Sequence, residues 1–424
     1  MSIDELLKGV KIEWKPLGDI GAFINGSGMP KSMFDENGQV GAIHYGHIYT
    51  KYQNFVYEPI VKISEKNAEK LKKVQKGDLV IAKTSENLDD VMKTVAYLGD
   101  EEVVAGGHSA IFKHNQNPKY LTYIFNGSSN LIMQKNRLAR GTKVIELSAK
   151  HMEKIRIPIP PLEIQEKIVE IIDGFTRYVN GLTAELTAEL TARKKQYAYY
   201  RDMLLSEEYL NKLSETLGNE GETNDKVIWT TLGEVAKFKY GFTTTAKDIG
   251  NYRFLRITDI TENGILKTEN AKFVNDDEVD EDYLVGKDDV LMARTGATYG
   301  KTLYISEKIN AVYASFLIKI DTDKEKLSSR YYWHFAQSGD YWKQADFLAK
   351  GGGQPQFNAN VLKKVKLPIP SLAIQAHVVS ILDIFDKLTS DITQGLLKEI
   401  ELRKKQYVYY REKLLAFECG EKDV

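Results

Sequence analysis

Residues 182–201 read LTAELTAELTARKKQYAYYR, and residues 402–411 read LRKKQYVYYR. The second stretch repeats the basic, tyrosine-rich run of the first, while a tandem of the block TAEL precedes the first copy only. A repeat at this distance along one chain predicts a duplicated unit, and a duplication constrains the architecture more strongly than any local pattern.

Other motifs repeat in the same order along the chain. Residues 157–165, IPIPPLEIQ, return as LPIPSLAIQ at 367–375, which is 210 positions later. Upstream of these motifs, further pairs occur in the same order, but the distance between the two copies varies slightly from pair to pair, as loop insertions would produce. The pairs are EWKPLGDI (13–20) with IWTTLGEV (228–235), IHYGHI (43–48) with LRITDI (255–260), GDLVIAKTS (77–85) with DDVLMARTG (288–296), and KYLTYIF (119–125) with RYYWHFA (330–336). The chain is therefore predicted to be a tandem duplication.

Composition sets the broad class. A length of 424 residues predicts more than one domain, and 42% hydrophobic with 28% charged residues is typical of a globular protein. A net charge of −1 gives no bulk attraction to DNA or anionic membranes. The single cysteine, Cys419, excludes a disulfide framework and favours a reducing, cytoplasmic location. We see no signal peptide and no apolar run near the ~20 residues of a membrane span.

Each predicted unit has a β-rich part followed by a helical part, so the fold class is α/β or α+β. Short β-branched and aromatic runs, broken by Gly, Asn and Asp clusters, fill 1–156 and 228–366. Proline is tolerated in the first turn of a helix and poorly beyond it, which predicts helix starts near Pro161 and Ser371. The polar segment 206–227 is interpreted as a linker, and 418–424 as a tail.

The helical parts carry the most regular pattern in the chain. Up to Leu182 in the first copy and Ile392 in the second, apolar residues alternate in steps of four and three, which is the spacing of a coiled-coil seam. The later apolar residues follow in steps of four, which are stutters in that seam. Helices are predicted over 162–205 and 372–415, each about 66 Å long. One apolar stripe cannot stabilise such a helix alone in water, so we expect each to pair with its copy. The seam positions of the first copy, all apolar or aromatic again 210 residues later, are Ile164, Ile168, Ile171, Phe175, Tyr178, Leu182, Leu186, Leu190, Tyr197, Tyr200 and Leu204.

The TAEL tandem fits this picture as a length adjuster. Only its leucines continue the seam, whereas Thr, Ala and Glu are acceptable on the outer faces of a helix. Each block adds one near-complete turn, or about 6 Å. The paired helices are thus predicted to act as a strut whose length depends on the number of blocks.

Together the duplicated domains, the PIPPLxxQ entry to a long helix, the RKKQYxYYR run and the TAEL tandem resemble the specificity subunit of Type I restriction–modification enzymes, over essentially the whole chain. The resemblance implies two target-recognition domains (1–156 and 228–366), separated by a pair of long antiparallel coiled-coil helices (157–205 and 367–417) in an internal pseudo-twofold repeat. Each domain would read one half of a split site on double-stranded DNA. The subunit would be non-catalytic, without a cofactor of its own, and would recruit two methyltransferase (M) subunits and then restriction (R) subunits.

Candidates for DNA contact are polar or cationic residues that end paired strand patterns or lie in the loop before each long helix. Lys83 and Arg294 occupy equivalent places, from which they could reach phosphates or guanine edges. The alternative is a structural surface turn, and for the loop 350–358 simply a mobile loop. His108 and Ser109 are expected on a strand face. The candidates are His44, Tyr45, Lys83, Thr84, Arg140, Lys143, Arg256, Thr258, Asp259, Arg294, Thr295, Lys350, Gln354 and Gln356.

Several other chemistries are disfavoured by the sequence. The glycines of ARTGATYGKT (293–302) are four apart, whereas a phosphate loop needs five. His44 and His47 have no evident third metal ligand. An Asn/Asp-Pro-Pro-aromatic methyltransferase motif is not found, which disfavours a self-contained modification enzyme.

The basic runs are interpreted as helix exterior with seam tyrosines, or as docking surfaces for the methyltransferase, rather than as base readers. The candidate partner-binding residues are Arg193, Lys194, Tyr197, Arg403, Lys404 and Tyr407. An alternative function for the whole chain stays open at this point. It is a non-enzymatic coiled-coil adaptor that presents two protein-binding domains.

Overall fold

The internal contacts of the computed structural model divide the chain into two units. The structure describes residues 9–217, 227–275, 279–349 and 357–417. Unit 1 comprises Met1–Glu185 with Lys398–Val424, and unit 2 comprises Leu186–Leu397. Each unit therefore contains one β-rich part of the chain and a portion of both helical parts.

Unit 1 is built on mixed sheets. One has the strand order Gly21–Asn25, Ser109–His114, Leu79–Ala82, Thr94–Tyr97, Phe55–Val56, and another has the order Val61–Ile63, Val40–His44, Val103–Gly106, Lys72–Val74. Short ladders pair Glu13–Pro16 with Arg156–Ile159 and Thr84–Ser85 with Ile145–Glu146. The run Leu-Val-Ile-Ala at 79–82 is buried throughout, as expected for a strand in the middle of a sheet that is covered on both faces.

Helices cover the apolar surface of these sheets. Pro118–Gly127 begins where the Asn117 side chain accepts hydrogen bonds from two backbone N–H groups, with Pro118 in the first turn. Its Leu121 and Ile124 are fully buried in one core cluster with Ile81. The helices of unit 1 before the first long helix are Leu17–Ile20, Tyr45–Thr50, Glu65–Ala68, Pro118–Gly127, Ser129–Leu138 and Ala149–Met152, with a 3-10 turn at Lys31–Met33.

Unit 2 repeats this plan with sheets of four and three strands. Its sheets have the orders Ala236–Tyr240, Leu317–Thr322, Val290–Ala293, Thr302–Tyr304 and Phe273–Val274, Tyr252–Leu255, Ala311–Tyr313, and Ile228–Thr231 pairs with Lys366–Ile369. Besides the long helices, its helices are Glu207–Leu217, Leu232–Val235, Ser329–Phe335, Gly339–Ala349 and Ala359–Leu362, with 3-10 turns at Ile257–Asp259, Glu281–Tyr283 and Gly296–Thr298.

The duplication predicted from the sequence is confirmed in the strand register. Glu13 lies opposite Ile159 in the first antiparallel ladder, and Ile228 lies opposite Ile369 in the second. In each unit a parallel pair follows the same plan, with Ile43 opposite Ala105 in unit 1 and Phe254 opposite Val312 in unit 2. The repeated motifs thus occupy equivalent positions in two related domains.

The long helices begin and end close to the predicted residues. They are Leu162–Leu204, named spacer helix 1, and Leu372–Leu415, named spacer helix 2. A fully buried glutamine fixes each start. Gln165 donates to the carbonyl of Pro160 and accepts from the N–H of Asn117, and Gln375 makes the same bonds to Pro370 and Ser328. Within the described ranges, no helix combines the length and the apolar character that a membrane span requires.

The spacer helices pack against each other in antiparallel fashion. In unit 1, Phe175 near the start of spacer helix 1 stacks on Tyr410 near the end of spacer helix 2, with ring centroids 5.5 Å apart. In unit 2, Tyr200 near the end of spacer helix 1 stacks on Phe385, again at 5.5 Å. This confirms the α/β fold class with two β-rich domains and a pair of long antiparallel helices.

The seam is less continuous than predicted. Tyr178 is 60% exposed and Leu388, the equivalent residue of the second copy, is 52% exposed. A helix of 3.6 residues per turn drifts from a 3.5-residue seam, and a pair of helices leaves the flanking positions in water. The apolar stripe therefore predicted the pairing of the helices, and the side chains at this step of the repeat lie at the edge of the contact.

The TAEL tandem lies in the middle of spacer helix 1. Its leucines, at 186 and 190, are half-buried like Leu182 just before it, whereas the Ala and Glu residues between them are exposed. The boundary between the two units crosses the helix inside this tandem, after Glu185. The blocks therefore occupy the part of the helix where one unit gives way to the other.

The segment interpreted as a linker, 206–227, differs from a plain linker in its first half. Residues Glu207–Leu217 form a helix, and Leu210 in it is fully buried in the core of unit 2. Glu207 accepts a hydrogen bond from the Trp229 indole at 2.8 Å. This segment is polar in overall composition and nevertheless forms a short amphipathic helix. Tyr209, Leu210 and Leu213 supply the apolar face that packs against the core of unit 2.

Candidate nucleic-acid interface

Lys83 in unit 1 lies where three loops meet. It follows the buried strand Leu79–Ala82, and its N–H donates to the carbonyl oxygen of His108 at 2.8 Å. Its own carbonyl accepts from the N–H of Leu147 at 2.9 Å. Its Nζ donates to Oδ1 of Asn25 at 2.9 Å. The sheet thus presents one cation together with Asn25, at the end of its strand, and the loops that contain His108 and Leu147.

Arg294 occupies the equivalent frame in unit 2. Its N–H donates to the carbonyl of Phe316 at 3.0 Å, and its carbonyl accepts from the N–H of Phe357 at 2.9 Å. Its guanidinium lies 5.4 Å from the ring centroid of Tyr240 and 5.4 Å from that of Phe316. Tyr240 ends the strand that corresponds to the one ended by Asn25. The backbone plan is shared, and the side chains around the cation differ.

His44 is less accessible than predicted for a base reader. It is 4% exposed, and its Nδ1 accepts the N–H of Gly46 at 3.1 Å, which caps the helix Tyr45–Thr50. Burial, with help from nearby cationic and histidine side chains, lowers the pKa of His44 below its ordinary value. Tyr45 is half-buried, and its ring lies 5.3 Å from that of the exposed His108. Tyr45 and His108 are thus the more accessible members of this group.

Thr84 joins the same surface through its backbone. It is 7% exposed, and its carbonyl accepts a hydrogen bond from the Tyr49 hydroxyl. The ladder between Thr84–Ser85 and Ile145–Glu146 places the 140–146 loop beside Lys83.

That loop is a tight hairpin which displays Arg140 and Lys143, both exposed. Arg140 and Glu146 exchange backbone hydrogen bonds at 2.9 and 2.7 Å. Gly141 has a φ of +115°, and a Cβ there would meet the Val144 carbonyl oxygen at 2.0 Å, so only glycine fits. Arg140 also donates from Nη1 to the carbonyls of Arg137 and Ala139. The hairpin brings two further cations to the Lys83 surface.

In unit 2 the candidates Arg256 and Asp259 form an ion pair with each other. The Arg256 guanidinium donates to the Asp259 carboxylate at 2.8 and 3.1 Å, and the Arg256 N–H donates to it at 2.9 Å. Asp259 is 2% exposed. This differs from an open pair of base readers, because the ion pair closes the 3-10 turn Ile257–Asp259 from within. Thr258, between them, is exposed.

The remaining candidates of unit 2 surround Arg294. Thr295 is half-buried and precedes the 3-10 turn Gly296–Thr298. Lys350, Gln354 and Gln356 lie outside the described residues. Contact of the candidate residues in both units with DNA stays a prediction.

Sequence reasoning missed several members of this surface. His108 was expected with Ser109 on a strand face, but only Ser109 lies in the strand Ser109–His114, where it is buried. His108 is exposed in the turn before it, next to Gly107, whose φ is +74°. The Gly-Gly pair at 106–107 and the NGSG run at 25–28 were the available turn signals. Tyr240 and Phe316 carried no such signal.

The basic runs on the spacer helices have the same local geometry in both copies. Arg193 donates from Nε to Glu189 at 2.8 Å and from Nη1 to Gln196 at 3.1 Å. Arg403 makes the corresponding bonds to Glu399 and Gln406 at 2.8 and 3.0 Å. Lys194 and Lys404 are exposed. The basic residues therefore face solvent at both sites.

The tyrosines of these runs face the partner helix. The Tyr407 hydroxyl is 3.0 Å from Oγ1 of Thr176, and Arg411 lies over the Tyr407 ring at 5.6 Å. At the equivalent place in unit 2, burial first and then the nearby Asp386 raise the pKa of Tyr197. Both tyrosines are half-buried between the spacer helices, whereas Lys194 and Lys404 of the same runs are exposed to solvent.

The described side chains contain no group of three or more His, Cys, Asp or Glu residues that could hold a metal ion. The loop surfaces around Lys83 and Arg294 are the clearest candidate sites for a large polyanionic ligand, because each presents cationic side chains on the same backbone frame.

Comparison with known proteins agrees with this arrangement. A family model described as the type I restriction modification DNA specificity domain matches residues 10–192 and 226–402. The chain is 30% identical to a type I restriction enzyme specificity subunit of Escherichia coli, over 98% of this chain and 96% of that protein. It is 29% identical to a putative type I restriction enzyme specificity subunit of Haemophilus influenzae, over 98% of each chain.

Solved structures share the fold. A chain from a structural study of complex assembly and conformational transition of the type I R-M system aligns with a TM-score of 0.70 and 15% identity, covering 95% of this chain and 97% of that one. The HsdS subunit from Thermoanaerobacter tengcongensis aligns with a TM-score of 0.53 and 15% identity, covering 95% and 96%. From the family match and the full-length relatives, the chain belongs to the type I restriction–modification DNA specificity family.

Proposed function

We propose that this chain is the DNA-sequence specificity subunit of a Type I restriction–modification system and binds a bipartite, asymmetric site on duplex DNA. Residues 1–156 and 228–366 would be the target-recognition domains, one for each half-site. The observation that supports this best is the matched pair of Lys83 and Arg294. Each cation follows a buried strand, and each is held by the same backbone hydrogen bonds to two neighbouring loops.

The asymmetry of the proposed target follows from what surrounds these cations. Lys83 is bonded to Asn25 and lies next to His108, whereas Arg294 lies against Tyr240 and Phe316. Base edges are distinguished by the donors, acceptors and apolar groups that face them. Domains with one frame and different contact groups would therefore read different half-sites.

The spacer helices would hold these domains at a set separation. Both helices are continuous, and the two stacked aromatic pairs fix one register between them. Because each TAEL block contributes about 6 Å of helix, the tandem would determine how many unspecified base pairs separate the half-sites.

The partner subunits would provide the chemistry. We propose that two M subunits dock at the duplicated surfaces around Arg193 with Lys194 and Arg403 with Lys404, because identical local geometry suits two copies of one partner. R subunits would join the assembled complex. A net charge of −1 suits a subunit whose partners contribute much of the phosphate contact. A cytoplasmic location, with the DNA, follows from this function.

The direct test is a map of N6-methyladenine in a host that carries the methyltransferase genes with and without this chain. The proposal predicts one split, non-palindromic methylated motif that appears only when the chain is present. An unchanged methylation pattern would contradict the proposal. Binding of the complex to duplexes without sequence preference would favour the protein adaptor instead.

A further inference from the structure

Arg294 is immobilised by its neighbours in unit 2. Its Nε donates to the carbonyl oxygen of Ser315 at 3.0 Å, and its Cζ lies 5.4 Å from the ring centroids of both Tyr240 and Phe316. The hydrogen bonds of its own backbone to Phe316 and Phe357 fix the base of the side chain. An arginine held in this way has given up most of its rotamer freedom before any ligand binds.

The far end of the guanidinium remains open. Within the parts of the chain that the structure describes, neither Nη1 nor Nη2 of Arg294 has a hydrogen-bond or ion-pair partner. The flanking rings are partly in solvent, with Tyr240 41% and Phe316 51% exposed. The residue therefore presents a planar pair of donors at the surface, in one orientation.

We propose that Arg294 reads a guanine in the half-site of the second domain, and that Tyr240 and Phe316 are positioning residues that hold its guanidinium in plane. This inference rests on the function proposed above. In the major groove, guanine offers N7 and O6 as adjacent acceptors, which match the arginine fork in a bidentate contact. A phosphate makes no such demand for a fixed plane, since a flexible lysine also binds it.

The first domain has no arginine at the position equivalent to Arg294. Nζ of the equivalent Lys83 donates to Asn25, and an ammonium group has no planar fork to orient. The inference therefore concerns one half-site only, which makes the first domain an internal reference.

The test uses the chain in complex with its methyltransferase partner and compares wild type with Arg294→Lys, which keeps the charge and removes the fork. Methylated motifs are mapped across the genome, and affinities are measured on duplexes in which each guanine of the second half-site is replaced in turn. We expect one guanine position to be relaxed and the affinity for the cognate duplex to fall by about 5- to 150-fold. The first half-site and the spacer should not change.

A variant motif identical to that of wild type, with any loss of affinity equal across all sequences, would overturn the inference and assign Arg294 to a phosphate. If the wild-type complex itself shows no motif that depends on the chain, the proposed function fails and the inference with it. A chain-dependent motif that is the same for wild type and Arg294→Lys would contradict the guanine contact and leave the proposed function standing.

The positioning role has its own test. Phe316→Leu should weaken guanine discrimination in the wild-type background and add nothing in the Arg294→Lys background, as residues that act through one group do in a double-mutant cycle. Phe347→Leu is the matched control, because Phe347 is 77% exposed in the same unit. An equal effect of Phe316→Leu in both backgrounds would show that Phe316 contacts DNA by itself and is not a positioning residue.

Discussion

Phe175 stacks on Tyr410 with an interplanar angle of 8°. The equivalent pair, Tyr200 and Phe385, stacks at 9°. The same two residues of the repeat thus meet twice, with the helices exchanged, which is what a pseudo-twofold relation between the two copies of the helix requires.

Replacing either phenylalanine of these stacked pairs, Phe175 or Phe385, should lower the stability of the chain by a similar amount. We expect Phe175→Ala and Phe385→Ala each to lower the free energy of unfolding by about 1–3 kcal/mol, less than a fully buried ring would cost because both side chains are half-buried. Denaturant unfolding of the whole chain measures this. Tyr178→Ala is the control, since that ring is 60% exposed and should change stability by less than about 0.5 kcal/mol. Equal losses in all three variants would contradict the pairing.

Stability should also depend on pH through a histidine of unit 1. Burial lowers the pKa of His114 to about 4, although the nearby Asp78 opposes the shift. The unfolded chain, with an ordinary histidine pKa near 6.5, binds more protons in this interval. The contribution of His114 is therefore fully present above pH ~6.5 and is lost as the pH falls toward ~4, by at most about 3 kcal/mol.

The readout is the difference between variants, because carboxylates titrate in the same interval. His114→Gln should flatten the decline of unfolding free energy between pH 6.5 and 4 relative to wild type. Parallel curves for wild type and His114→Gln would show that His114 is not the group responsible.

Lys83 should contribute to DNA binding through charge. In the complex with methyltransferase, we expect Lys83→Ala to weaken binding and to reduce the slope of log affinity against log salt by about 1 if Nζ contacts a phosphate. Loss of discrimination at a single base pair of the first half-site would instead indicate base contact. Lys154→Ala, an exposed lysine of the same unit, should have little effect. Identical binding of the Lys83 variant and wild type would remove this residue from the interface.

The isolated chain should bind DNA weakly and lose that binding readily as salt increases. Its net charge of −1 offers little general attraction to the phosphate backbone, so tight binding should require the methyltransferase subunits. Fluorescence anisotropy with and without the partner measures the difference at one fixed salt concentration. Equal affinities in the two states would contradict the proposed division of labour.

The sequence was sufficient for features that a repeat or a periodicity encodes. The bounds of both spacer helices were predicted to within one residue, because Pro161 and Ser371 mark the starts and the apolar stripe marks the extent. The exposure of Tyr178 and Leu388 was not predictable in this way, since the pattern gives the stripe and not the coverage that the partner helix supplies.

The candidate site was predictable only where equivalent strands end. Lys83 and Arg294 were found because both follow a recognisable strand, whereas Phe316 and Tyr240 become neighbours of Arg294 only through tertiary structure. The mutual ion pair of Arg256 and Asp259 likewise depends on a turn that no spacing rule revealed.

The methylation motif of a variant with one additional TAEL block after Leu190 tests most directly whether the spacer helices set the distance between the half-sites. At about 6 Å per block and 3.4 Å per base pair, we expect the same two half-site sequences with a spacer longer by about one to two base pairs. Altered half-sites with an unchanged spacer would show that the helices do not set this distance.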